Sequence, residues 1–174
     1  DGKLIAEFET ERRIPVSIGE VPTFVINAFL AAEDRDFYTH KGVNPQAIFR
    51  AAVADIARFH SGQRPVGAST ITQQVVRHFL LSRELSLTRK AKEAILAYHL
   101  DKKLSKDRIL EIYLNEIYFG AGAYGVAPAA DTYFQNKLDQ LTPGEAAFLA
   151  SLPQAPNNYN PVRTCKAFVE RLKQ

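Results

Sequence analysis

The sequence has no methionine, no tryptophan and only one cysteine, Cys165, among its 174 residues. A single cysteine excludes an internal disulfide framework and argues against a metal site built from thiolates. No run of about 20 apolar residues occurs, so no transmembrane helix is predicted, and no signal peptide is recognisable. Because the chain also begins with Asp1 rather than methionine, we expect a fragment or a processed form, with any membrane anchor lying upstream.

The bulk composition is that of an ordinary globular protein. Hydrophobic residues make up 46% of the chain and charged residues 24%, which suits one domain with its own core over residues 1–174. The net charge of +3 is compatible with anionic partners such as phosphates or a membrane surface, but does not establish them.

Apolar spacing and helix-capping signals predict a mainly α fold with a short extended piece near residues 3–8. Residues 60–65 and 120–125 are predicted to be connections, and 152–161 a turn-rich strap. Helices are predicted at 22–32, from Pro45 behind an Asn44 cap, from a Ser69 cap to about Leu81, at 89–104 behind Ser86 or Thr88, at 106–115 behind Ser105, at 127–134, and behind a Thr142–Glu145 capping box to about Leu152.

Two polar blocks stand out, EDRDFYTHKG at 33–42 and GASTITQQ at 67–74. A helical core needs apolar residues at helical spacing, and burying this much polar function without partners is unfavourable. Glu33 follows an apolar helix and has a like-charged neighbour in Asp34, which suits a carboxyl group for proton transfer. A solvated helix end is the alternative, but His40 and Gly42 indicate a segment that holds a defined geometry rather than one that serves solubility alone. Together the blocks predict a polar cleft.

Two further blocks follow, RKAKE at 89–93 and KDRILEIYLN at 106–115. Arg89 and Glu93 could form an ordinary surface ion pair; with Arg77 and Lys92 they could instead form a phosphate-binding patch beside a second carboxylate. The block at 106–115 is interpreted mainly as a core helix. The apolar stripe at 48–59 is equally compatible with core and with membrane contact. Paired acids point to chemistry at a glycosidic bond, and leave hydrolysis and transfer open.

The four blocks, in this order, resemble those of the glycosyltransferase domain of class A penicillin-binding proteins (glycosyltransferase family 51). The resemblance covers roughly residues 14–163 and includes GAGAYGVAPAA and LTPGEAAFLASLPQAP. It implies a mainly α, lysozyme-like, two-lobed helical domain with a membrane-associated jaw subdomain at about 45–66. It also implies a parent chain with a transmembrane anchor and a transpeptidase domain, both absent from this segment, at the outer face of the bacterial cytoplasmic membrane.

The resemblance implies polymerisation of lipid II into glycan strands, with inversion and with undecaprenyl pyrophosphate as leaving group. Glu33 would be the general base and Glu93 the second catalytic carboxylate. The substrate-binding residues would be Ser69, Thr70, Gln74, Arg77, Lys90 and Lys92. Asp34, His40 and Gly42 would form the scaffold near the site. The family usually has lysine where this chain has Arg77, which keeps the charge but not its geometry.

The resemblance implies no tightly bound cofactor. Glu93 either orients the cations or holds a divalent cation, Mg²⁺ or Mn²⁺, on the pyrophosphate. The expected partners are lipid II, the growing glycan strand, a membrane lipid surface and moenomycin-type inhibitors, with no nucleic acid. A lysozyme-like peptidoglycan hydrolase or lytic transglycosylase is the alternative enzyme, and a non-catalytic binding module is the alternative without chemistry.

Overall fold

The computed structural model describes residues 12–58, 67–80 and 86–154. Within these ranges the chain forms seven α-helices and three short strands, so the prediction of a mainly α protein is confirmed. The helices are α1 Thr23–Glu33, α2 Pro45–Arg58, α3 Ile71–Leu80, α4 Leu87–Lys103, α5 Lys106–Glu116, α6 Val126–Phe134 and α7 Pro143–Ser151. None of these helices has the length and apolarity needed to cross a membrane.

The described residues divide into two compact units. The first unit contains the residues up to Phe29 and those from Leu114 onward. It carries the strands, β1 Arg12–Arg13, β2 Tyr118–Gly120 and β3 Ala123–Tyr124, in which β3 pairs with β1 in parallel and with β2 in antiparallel. Its buried residues include Phe29 and Phe119, whose rings meet edge to face.

The second unit is Leu30–Tyr113 and holds every residue that the sequence assigns to the site. Helices α3 and α4 pack against each other in this unit. Its buried apolar side chains come from the loop after α1 and from α3, α4 and α5, and include Phe37, Ile71, Val76, Ala97, Ile109 and Leu110. The apolar face predicted for the helix at 106–115 is therefore confirmed as core.

Most predicted helix starts are confirmed. They could be predicted from the sequence because capping is a local interaction. Asn44 accepts a hydrogen bond from the Ala47 N–H group, Ser86 from Arg89 and Ser105 from Arg108. Thr142 and Glu145 form the expected capping box.

Two predictions are wrong in detail. Ser69 does not cap α3, because Thr70 takes that position. The stretch at 120–125 is not only a connection, since its glycines make the turn of a β2–β3 hairpin with positive φ at Gly120 and Gly122. The predictions for 3–8 and 60–65 fall outside the described residues, as does most of the strap, of which Leu152–Gln154 is described as a 3-10 turn.

Candidate active site

The adjacent acids Glu33 and Asp34 bind two positions one helical turn apart on α3. Glu33 is the half-buried last residue of α1, and its Oε2 accepts a hydrogen bond from Nε2 of Gln74 at 2.8 Å. Asp34 is buried, and its Oδ2 accepts from the backbone N–H of Ile71, the first residue of α3, at 3.0 Å. His40 Nε2 lies 2.8 Å from the same Asp34 oxygen. Asp34, itself bound by His40, therefore fixes the start of α3 beside Glu33.

The start of α3 is closed by a capping box that the sequence analysis did not identify. The Gln73 N–H group donates to the Thr70 hydroxyl at 3.1 Å, and the Thr70 N–H group donates to the Gln73 side-chain oxygen at 3.1 Å. Both side chains are buried. The Thr70 hydroxyl also lies 2.6 Å from the Gly42 carbonyl oxygen, to which it donates. Much of the polar content at 67–74 thus satisfies the backbone around the site.

Gly42 is required by geometry at the end of the first block. Its φ is +79°, and a Cβ atom there would lie 2.4 Å from the carbonyl oxygen of Ala97 on α4. Only glycine combines this conformation with so close an approach. The loop after Glu33 is therefore seated directly on the backbone of α4.

His40 links the same loop to Asp34 and to α5. Beyond its bond to Asp34, its backbone carbonyl accepts from Lys106 Nζ at 2.7 Å, and that ammonium also lies over the ring of Phe37. The His40 Nδ1 atom is buried and has no hydrogen-bond partner among the residues that the structure describes. These contacts tie the loop after Glu33 to Asp34 and to the start of α5.

The second carboxylate, Glu93, is fully buried on α4, with a relative exposure of 0%. Its Oε1 accepts a hydrogen bond from Lys90, and its Oε2 lies 3.5 Å from a guanidinium nitrogen of Arg89. Lys90 Nζ also donates to the Ser69 hydroxyl at 2.8 Å. Glu93 therefore holds Lys90 next to Ser69, the residue before the Thr70 cap of α3.

Tyr113 belongs to the neighbourhood of Glu33, although the sequence analysis placed it only in the core. Burial raises its pKa well above the ordinary value of 10.0, the Glu33 carboxylate raises it further, and the Arg77 charge opposes the shift. Arg77 itself is exposed on α3, and Lys92 is exposed on α4. A buried phenol on an apolar helix face usually has a partner for its hydroxyl group. This requirement was the sequence signal that Tyr113 lies next to polar groups and not only in the core.

The prediction of a divalent cation at Glu93 depends on the groups that surround its carboxylate. The described residues contain no group of three or more histidine, cysteine, aspartate or glutamate side chains placed to share a metal ion. Glu93 faces Lys90 and Arg89, whereas Mg²⁺ and Mn²⁺ require several oxygen ligands. The residues around Glu93 therefore fit the orientation of cations better than the binding of a metal.

Comparison with known proteins identifies the class. The sequence model of the transglycosylase family matches residues 1–174, and the chain belongs to that family. Penicillin-binding protein 1A of Rickettsia conorii is 53% identical over 163 residues, which are 94% of this chain and 21% of that protein. Penicillin-binding protein 1A of Escherichia coli is 49% identical over 171 residues, which are 98% of this chain and 20% of that protein.

Among solved structures, the crystal structure of penicillin-binding protein 1A from Haemophilus influenzae matches with a TM-score of 0.47 and 30% identity, over 95% of this chain and 14% of that one. The chain thus spans about a fifth of the length of the curated relatives that it matches. The family membership confirms the prediction of a peptidoglycan glycosyltransferase domain and favours it over the lytic alternative.

Proposed function

We propose that this domain polymerises lipid II into glycan strands by inverting glycosyl transfer. Glu33 removes the proton from the 4-hydroxyl group of the acceptor sugar. That oxygen attacks C1 of the terminal sugar of the donor strand, and the bond from C1 to the undecaprenyl pyrophosphate oxygen breaks. The proton remains on Glu33 and the pyrophosphate carries away the bonding electrons. The position of Glu33 supports this role most directly, since it is half-buried and oriented by Gln74.

Negative charge builds on the pyrophosphate as the bond breaks, and fixed cations stabilise it. Lys90 is suited to this task because Glu93 and Ser69 hold its ammonium group in place. Arg77 and Lys92 are exposed on α3 and α4 and supply further positive charge. In this scheme Glu93 acts by orienting Lys90 and does not itself touch the sugar, and Ser69 acts with it. Moenomycin-type inhibitors would compete for the same cations.

The second element of the proposal is contact between α2 and a lipid surface. Apolar side chains on this helix are exposed: Ile48 by 45%, Phe49 by 71% and Val53 by 52%. Exposed apolar side chains on one helix suit burial in a membrane interface. They support the interpretation of residues 45–58 as part of a membrane-associated jaw; residues 59–66 lie outside the described part. The expected location is the outer face of the cytoplasmic membrane, in a parent chain with an anchor and a transpeptidase domain.

Product analysis tests the reaction. The chain is incubated with radiolabelled lipid II in detergent, and the products are separated by gel electrophoresis and by chromatography of the lipid fraction. Long glycan with matching release of undecaprenyl pyrophosphate is expected. Conversion of the labelled lipid II into short sugars without polymer would instead indicate the hydrolase or lytic alternative, and unchanged lipid II that still binds the chain would indicate a non-catalytic module.

A further inference from the structure

Gln74 makes a contact that its predicted role in substrate binding does not explain. Its Nε2 donates to Oε2 of Glu33 at 2.8 Å, across 41 positions of the chain, in a partly buried setting. A carboxamide donates only through its nitrogen, and here that nitrogen faces the carboxylate. Gln74 therefore binds the group proposed to act as base.

The chemistry of this contact is specific. An amide donor on one carboxylate oxygen favours the charged form of the acid, which is the form that accepts a proton. It also restricts rotation of the carboxylate plane, so that the other oxygen keeps one direction. Both effects act on Glu33 and require no contact with the sugar.

The backbone of Gln74 is itself held firmly. Three contacts anchor the turn before it: the Asp34 carboxylate on the Ile71 N–H group, the Thr70–Gln73 capping box, and the Thr70 hydroxyl on the Gly42 carbonyl. Thr70 and Gln73 are buried. A side chain based on such a turn can fix its partner, whereas one on a loose loop cannot.

We infer that Gln74 is a positioning residue for Glu33, whose carboxylate it orients and whose charged form it favours. The inference rests on the proposed function, because it concerns the base of that reaction. It predicts that Gln74 variants change the behaviour of Glu33 in a manner set by the charge at position 74.

The test compares Gln74→Glu, Gln74→Lys and Gln74→Ala with the parent chain in the polymerisation assay across pH. A carboxylate beside Glu33 disfavours its charged form, so Gln74→Glu should move the acid limb of kcat/KM to higher pH by about one unit or more. An ammonium group should move it to lower pH. Gln74→Ala should lower kcat on the order of tenfold, with KM for lipid II unchanged. Gln140→Glu, an exposed change in the other unit, should leave the profile where it was.

A second measurement does not depend on activity. The Glu33 carboxyl carbon is followed by carbon-13 NMR through a pH titration of the same variants, and its signal is assigned with Glu33→Gln. Opposite displacements of its titration in Gln74→Glu and Gln74→Lys support the inference even if the chain makes no glycan. A raised KM in Gln74→Ala, with an unmoved pH profile and unmoved titrations, would overturn it and make Gln74 a substrate ligand. Absence of glycan from the parent chain, with displaced titrations, would overturn only the proposed reaction.

Discussion

The buried carboxylate of Asp34 accepts a hydrogen bond from the backbone N–H group of Ile71 at 3.0 Å, across 37 positions of the chain. This bond places a negative charge at the N-terminus of α3, where unpaired N–H groups and the helix dipole stabilise it. It also joins the loop that follows Glu33 to the helix that carries Gln74. The two adjacent acids therefore make different contacts: Asp34 binds the start of α3, and Glu33 accepts from Gln74 one turn later, which is consistent with the base role proposed for Glu33.

Asp34→Asn should reduce the free energy of unfolding by about 2–4 kcal/mol, because a neutral amide weakens two buried bonds to a charged group. Urea unfolding at neutral pH measures this loss. Asp36→Asn is the matched control in the same loop. The Asp36 side chain is 40% exposed. Its Oδ2 accepts from Arg50 at 3.3 Å and from the Asn44 amide at 3.0 Å, and an asparagine oxygen can still accept from both, so the change should cost less than about 1 kcal/mol. Equal losses in the two variants would contradict the scaffold role of Asp34.

Gly42→Ala should destabilise the chain by about 2–4 kcal/mol, because the new Cβ atom meets the Ala97 carbonyl and the φ of +79° disfavours any side chain. Gly144→Ala supplies the comparison. The nearest atom to a Cβ at that helical position is the Thr142 hydroxyl oxygen, 4.0 Å away, so the change should be neutral or stabilising by up to about 1 kcal/mol. Thermal or urea unfolding of both variants decides the matter, and a tolerated alanine at position 42 would refute the close approach to α4.

Tyr113→Phe should change how stability depends on alkaline pH. The raised pKa of the Tyr113 phenol keeps it protonated in the folded state at a pH where the unfolded chain has lost the proton. The unfolded state then binds fewer protons, so stability falls as pH rises above the ordinary value of 10.0. Phenylalanine lacks this loss. Urea unfolding from about pH 8 to about pH 11 should show the free energy of unfolding of the parent chain falling relative to that of the variant above about pH 10. Parallel dependence of the two free energies on pH would argue against the raised pKa.

The double variant Phe49→Ser/Val53→Ser should bind phosphatidylglycerol vesicles at least about tenfold more weakly than the parent chain, because burial of these side chains contributes roughly 1.5–3 kcal/mol each. Co-sedimentation with the vesicles measures the change. Leu87→Ser removes an apolar side chain that is 91% exposed on α4, and it should alter binding less than about twofold. A similar loss in both variants, or in neither, would remove α2 from the membrane contact.

The sequence predicts the local features of this fold well, because their causes lie within a few residues. The Asn44 cap and the Thr142–Glu145 capping box are found where their patterns indicate. The cap of α3 was assigned to Ser69, although Thr70 and Gln73 have the spacing of a capping box and form one. The Thr70 hydroxyl also donates to the Gly42 carbonyl, a distant contact that no local pattern contains.

The candidate site shows the same limit. The four sequence blocks supply the candidate residues, but do not show which residue each one touches. The Gln74 bond to Glu33 and the burial of Glu93 between Lys90 and Arg89 arise from how the loop, α3 and α4 pack. Tyr113 was assigned to the core because its neighbours on α5 are apolar, and its electrostatic link to Glu33 depends on tertiary structure.

The most direct test of the account is the initial rate of lipid II polymerisation by Glu33→Gln beside the parent chain. Glutamine keeps the size of the side chain and an oxygen that can accept from Gln74, but it cannot take a proton from the acceptor sugar. We predict a rate at least about 100-fold lower, with the urea unfolding midpoint unchanged. A rate within about tenfold of the parent, in an equally stable variant, would show that Glu33 is not the base.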